Sequence, residues 1–247
     1  HSIRRRQRQM CIRDRPAAAY MQLHQKDFGL FRDHARFIKE TRGKLDFFSY
    51  HFYENAGTLG AHERRGQGYA NYLLGRYEAT LDALRAEMHN VENVLPILIT
   101  ECGSLQNGRQ AADNWLRVLA WNAFLTKTMQ RPDQIGLFVP FVFLHMPWNP
   151  SSGDAVFTPK DDRQQHMTID DFHATPIANF FELWRDFDGH RLPVTYDRDW
   201  LDVVAVHSNN KISLAVTNMG GRQLLVDLSS IREQHPEMSA RQTRLNY

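Results

Sequence analysis

A chain of 247 residues with 42% hydrophobic and 23% charged side chains can bury one large core or two modest ones, and that balance excludes intrinsic disorder as the default. No run reaches the roughly 20 apolar residues of a bilayer-spanning helix; the longest candidate, Ile135 to Met146, is too short and carries Pro140. The formal net charge of +2 comes from the first fifteen residues, where six arginines face one acid, so the rest of the chain is net negative.

That basic start contains the string RRQRQMCIRDR, which is similar to translated sequencing-adapter sequence, so residues 1–15 are expected to be an artefactual or disordered tail and are left out of the fold. With Cys11 in the tail, Cys102 is left alone and no disulfide framework follows.

From Phe28 to Thr41 the apolar positions Phe31, Ala35 and Ile38 mark one helical stripe, which Gly43 ends. LDFFSYHFY, Leu45 to Tyr53, is short, aromatic and free of breakers, and reads as a buried strand. A glycine-rich loop over 54–68 follows. Tyr72, Leu73, Tyr77, Leu81, Leu84 and Met88 recur every three or four residues and predict an amphipathic helix over 69–89. LPILITE, Leu95 to Glu101, predicts a second strand, and Ala112, Trp115, Leu119 and Met129 a second long helix over 109–130. IGLFVPFVFLH predicts a third strand, and a further helix is expected over 168–187.

Apolar strands alternating with helices point to a parallel sheet covered by helices. Two architectures satisfy that pattern, the open doubly wound sheet and the closed eight-stranded barrel, and both gather function at the C-terminal ends of strands. After Leu192 the chain changes to short β-branched runs with turn signals at Asn209-Asn210 and Gly220-Gly221, the pattern of antiparallel hairpins.

Alternation along the first strand puts Ser49, His51 and Tyr53 on one face and Tyr50, Phe52 and Glu54 on the other. The same counting in the second strand puts Glu101 at the end of a row begun by Ile97 and Ile99, a carboxylate at a strand's C-terminal tip. The third strand runs into His145, Met146, Pro147, Trp148 and Asn149, an aromatic platform with amide and imidazole donors, which suits the apolar ring faces and fixed hydroxyls of sugars. Competing motifs fail: His62-Glu63 lacks the second histidine of HExxH, Gly66-Gln67-Gly68 lacks a third glycine, and neither GxxxxGK nor GxSxG occurs.

Taken together, LDFFSYHFYE, LPILITECGS and FVPFVFLHMPWNP resemble the last strands of the catalytic barrel of glycoside hydrolase family 86, the β-agarases and β-porphyranases. The resemblance spans about 28–228. It implies the C-terminal part of a TIM (β/α)8 barrel, about strands five or six to eight, over 16–192, followed over 193–247 by the start of an antiparallel β-sandwich. It further implies a retaining, endo-acting hydrolase of β-linked galactans such as agarose or porphyran, with Glu101 as nucleophile, His51 and Tyr53 orienting it, and Trp148, His145, Asn149 and Glu54 as substrate-binding residues. The alternatives carried beside it are another retaining clan glycosidase and a non-catalytic carbohydrate-binding protein. No cofactor, metal, nucleic-acid or membrane partner is implied; the partner is an algal polysaccharide, and a polymeric substrate implies secretion to the periplasm or outer surface of a bacterium. The general acid/base glutamate of the family follows the fourth strand, before this chain begins, so the fragment alone is expected to lack activity. Residues 16–247 are expected to aggregate or stay partly molten, because three strands of eight leave two sheet edges open.

Overall fold

The computed structural model describes residues 25–54, 72–104, 111–145, 155–161, 168–197 and 200–219, with isolated positions before and after. The chain divides into two compact units, His1–Phe180 and Phe181–Tyr247.

In the first unit a helix α1 (Gln25–Glu40) precedes the strand β1 (Phe48–Glu54). A π-turn at Tyr72–Arg76 leads into helix α2 (Tyr77–Asn90), then strand β2 (Ile97–Ser104), helix α3 (Ala111–Met129) and strand β3 (Ile135–Pro140). β1, β2 and β3 pair in that order, both pairs parallel. The helix-strand alternation expected from the apolar spacing is therefore present.

The core lies between the sheet and its helices. Phe48, Tyr50 and Phe52 of β1 are fully buried together with Ile97, Ile99 and Cys102 of β2. The Phe52 ring lies 4.6 Å from Tyr77, which in turn lies 5.4 Å from Phe124. Leu81, Leu84 and Met88, spaced three and four apart on α2, complete this face. The Tyr77 hydroxyl pairs with Thr128 Oγ1 at 2.7 Å, so the aromatic stack keeps its polar end satisfied. Lys127 on α3 is buried and donates to Glu78 on α2 at 2.5 Å, which ties the two helices by charge.

One buried group is held neutral. His34 of α1 packs against Phe48 and Tyr50, with ring centroids 5.9 and 5.5 Å away. Neither ring nitrogen has a hydrogen-bond partner among the described residues. Burial lowers its pKa to about 4, with Asp33 offsetting only part of the effect.

Two expectations need correction. The third strand stops at Pro140 instead of running to His145; beyond it the chain continues through an isolated bridge between Leu144 and Phe157. Pro140 has no N–H to give to a ladder, and pairing ends there. The helix expected over 168–187 is broken: a short 3-10 turn at Ile169–Asp171 is followed by strand β5 (Phe172–Ala174), paired antiparallel with β4 (Phe157–Pro159). A second 3-10 turn, Pro176–Ala178, then leads into the short helix α4 (Asn179–Trp184). Pro176 disfavours the helical region for the residue before it, and Thr175 is extended, its hydroxyl accepting from the Ile177 N–H.

In the second unit β6 (His190–Leu192), β7 (Leu201–Ser208) and β8 (Lys211–Asn218) form an antiparallel sheet. The turn falls at Asn209-Asn210, as the sequence predicts, with Asn209 at φ +52°. Gly189 has φ +124°, and a Cβ there would sit 2.4 Å from the His207 carbonyl oxygen, so only glycine fits. The turn signal at Gly220-Gly221 lies outside the described residues.

Candidate active site

The C-terminal ends of β1 and β2 bring three side chains together. The Tyr53 hydroxyl donates to Glu101 Oε2 at 2.6 Å, and His51 Nδ1 lies 3.2 Å from the same oxygen. His51 is buried, whereas the Glu101 side chain keeps 28% of its surface open. Glu101 is thus held through one oxygen and reachable by a ligand.

Strand alternation places Ser49, His51 and Tyr53 side by side, but it fails for Glu101. The register runs Tyr50↔Ile99 and then His51↔Glu101, so Thr100 is an extra residue on β2. A bulge of this kind turns successive side chains to one side. Glu101 therefore does not continue the buried row of Ile97 and Ile99; Cys102 does. Without the extra residue Glu101 would point into the helix-covered core, and with it the carboxylate faces His51 and Tyr53. Burial raises the Cys102 thiol well above its ordinary range, so it stays protonated and inert behind the site.

Gly103 gives Tyr53 its room. A Cβ on Gly103 would lie 3.1 Å from the Tyr53 ring and 3.2 Å from the Phe141 carbonyl oxygen. The Phe141 N–H donates to the Cys102 carbonyl at 2.8 Å and its ring meets Tyr53 edge-on at 6.3 Å, so the tyrosine stands between β2 and the chain leaving β3.

Glu54 is placed elsewhere. It is 1% exposed and accepts from the Leu73 N–H at 2.8 Å, on the same side of β1 as Phe52. Its carboxylate anchors the turn before α2. His145 is half-buried, with its backbone N–H on the Phe157 carbonyl at 2.9 Å; among the described residues no hydrogen bond joins its ring to Glu101. Trp148 and Asn149 lie outside the described residues.

Two hydroxyls adjoin His51, that of Ser49 on the polar face expected from the sequence and that of Thr100, which the sequence reading did not name. Thr100 Oγ1 lies 3.1 Å from His51 Nε2 and 2.6 Å from Ser49 Oγ. Alternation puts Thr100 on the Ser49 face, opposite Ile97 and Ile99, and the bulge brings Glu101 round to the same side.

No family model matches the sequence. Among characterised proteins, the chain is 24% identical over 228 residues to beta-porphyranase A of Phocaeicola plebeius, covering 87% of this chain and 30% of that protein. It is 24% identical to the funoran endo-beta-hydrolase of Wenyingzhuangia aestuarii, over 78% of this chain and 26% of that one. It is 22% identical to a beta-agarase of Pseudoalteromonas atlantica, over 81% and 40%. The chain therefore spans between about a quarter and two-fifths of the length of these relatives. Among solved structures, the beta-porphyranase of glycoside hydrolase family 86 from the human gut bacterium Bacteroides plebeius superposes with a TM-score of 0.64 at 24% identity, covering 81% of this chain and 35% of that one. The BuGH86 enzyme in complex with neoagarooctaose gives 0.63 at 22% identity, over 82% and 33%. The likeness in structure shows a shared fold for this stretch. The resemblance read from the strand motifs is met in both comparisons: over about four-fifths of its length this chain is similar to a stretch of the β-porphyranases and β-agarases, with the family 86 glycoside hydrolases among them.

Proposed function

We propose that the chain is part of the catalytic domain of a retaining, endo-acting glycoside hydrolase, with Glu101 as its nucleophile. The observation that carries this reading is the half-open Glu101 carboxylate, held on Oε2 by Tyr53 at 2.6 Å and approached there by His51 at 3.2 Å. Both contacts fall on one oxygen, so among the described residues Oε1 carries no contact and can form the bond to an anomeric carbon. The two neighbours fix the carboxylate's rotamer and so aim that oxygen. In a retaining mechanism a second carboxylic acid about 5 to 5.5 Å away protonates the leaving oxygen and later draws a proton from water. That acid is assigned to the part of the longer protein that precedes this chain.

In this reading β1, β2 and β3 are the closing strands of a (β/α)8 barrel, and β6 to β8 begin a β-sandwich. The division of labour fits barrel enzymes, in which reacting groups sit at the C-terminal tips of strands. Names of the relatives support β-linked algal galactans as the substrate class, and a polymer of that size is met outside the cytoplasm.

The test uses the longer protein that carries this chain, with and without Glu101→Gln, assayed for reducing-end release on agarose and porphyran. Loss of at least about a thousandfold on one polymer, as expected for a removed nucleophile, together with an anomer-retained first product by proton NMR, supports the reading. Full activity in Glu101→Gln overturns the assignment and moves the nucleophile elsewhere, and no activity in the unaltered protein overturns the hydrolase reading and favours a carbohydrate-binding role.

A further inference from the structure

We infer that Phe141 is a positioning residue for the candidate nucleophile: its ring meets Tyr53 across a gap that Gly103 leaves open in β2, and so holds the tyrosine hydroxyl on Glu101. The catalytic meaning of this contact rests on the reading of Glu101 as the nucleophile; its geometry does not.

The extra residue in β2 displaces the ladder against both neighbouring strands. Against β1 the pairs run Tyr50↔Ile99 and then His51↔Glu101; against β3 they run Ile99↔Phe138 and then Cys102↔Pro140. In a regular ladder Tyr53 and Phe141 would both stand level with Cys102, which is fully buried. The extra residue moves the tip of β2 by one place. Tyr53 is therefore paired with Gly103, and Phe141, one residue past Pro140, comes level with the same glycine from the other side.

Gly103 lets the two rings meet. The Tyr53 ring lies over the place a side chain would take, its Cε1 and Cδ1 3.1 and 3.3 Å from a Cβ built there. Beside it the Phe141 ring stands edge-on, with centroids 6.3 Å apart and planes at 81°, an arrangement that aromatic pairs favour. Phe141 is itself fixed, because its N–H donates at 2.8 Å to the carbonyl of Cys102, the residue between Glu101 and Gly103. One short stretch of β2 thus carries the carboxylate, anchors the ring that supports Tyr53 and leaves the space in which Tyr53 lies. At the tip of that ring the hydroxyl donates to Glu101 Oε2 at 2.6 Å. A tyrosine turns about two side-chain bonds, so a neighbour at the side of the ring decides where the hydroxyl falls.

The test uses the longer protein and compares Phe141→Ala, Phe141→Tyr and Tyr53→Phe, and Phe141→Ala combined with Tyr53→Phe. Phe141→Ala should lower kcat about three- to tenfold, the scale of one aromatic pair, with KM changed less than about twofold. Phe141→Tyr keeps the ring edge and should stay within about twofold of the unaltered protein. Without the Tyr53 hydroxyl there is nothing left to aim, so in the Tyr53→Phe background Phe141→Ala should change kcat by less than about twofold. A crystal structure of Phe141→Ala should show the Tyr53 hydroxyl more than about 3.5 Å from Glu101. Equal losses from Phe141→Ala in both backgrounds, a KM effect at unchanged kcat, or a hydroxyl still at 2.6 Å in Phe141→Ala overturns the inference. Should Phe141→Ala fail to fold, Phe141→Leu is carried through the same comparisons and judged in the same way. If the hydroxyl moves as expected while Glu101→Gln retains full activity, the nucleophile assignment fails and the positioning of Tyr53 stands, so the two failures are separable.

Discussion

Lowering the pH should unfold this protein partly through one imidazole. His34 is 1% exposed, packed between α1 and the aromatic face of β1, with no hydrogen-bond partner for either nitrogen among the described residues. Its pKa of about 4 stands against 6.5 for the free side chain. Because the folded value is depressed, the unfolded state binds the proton first as the pH falls, and stability is lost between about 6.5 and 4; above 6.5 the contribution is fully present. Linkage puts the loss at about 2 kcal/mol at pH 5 and about 3 kcal/mol at pH 4. The measurement is urea unfolding at pH 7.5, 5 and 4 for the unaltered protein and for His34→Leu, which keeps an apolar group in the space and removes the titration. The leucine variant should lose at least about 2 kcal/mol less than the unaltered protein between pH 7.5 and 4. Equal losses in both proteins, or a His34 imidazole that titrates near 6.5 by NMR in the folded state, would refute the reasoning.

Other expectations follow from the site and the core. Tyr53→Phe removes a short hydrogen bond to a carboxylate and should lower kcat/KM by about 10- to 100-fold while leaving the thermal midpoint nearly unchanged; steady-state kinetics on the preferred polymer checks this. Gly103→Ala places a methyl group 3.1 Å from the Tyr53 ring, so it should reduce activity as much as Tyr53→Phe does, and the double variant should be little worse than either single one. Lys127→Ala breaks the buried link to Glu78 and should cost about 3 kcal/mol in urea unfolding, whereas Lys127→Met, which keeps the volume, should cost clearly less.

Much of the first unit could be read from local pattern. The three- and four-residue recurrence of Tyr77, Leu81, Leu84 and Met88 sets one face of α2, and those four side chains are fully buried. The unbroken apolar runs announce strands covered by helices on at least one face, and β1, β2 and β3 pair in parallel. The face shared by Ser49, His51 and Tyr53 follows from the two-residue period of a strand, and all three meet β2 groups on one side.

Where the reading failed, the cause was a partner that the local pattern does not contain. The sequence over 168–187 has helical spacing, but Thr158 and its neighbours pair with Phe172 to Ala174, and Pro176 blocks a continuous helix. The side of β2 on which Glu101 emerges depends on an extra residue in the ladder. A bulge is defined by the mismatch between two strands and leaves no mark in either one alone.

The sequence by itself determined the alternation of helices and strands, the polar face of β1 and the presence of a carboxylate at the tip of β2, because these depend on the period of a single element. Only the tertiary structure decided that Thr100 is the residue left over in the pairing of β1 with β2, so that Glu101 turns away from Ile97 and Ile99 toward His51 and Tyr53. Register is a relation between strands, fixed by how their buried faces pack against the same helices, and no single strand carries it.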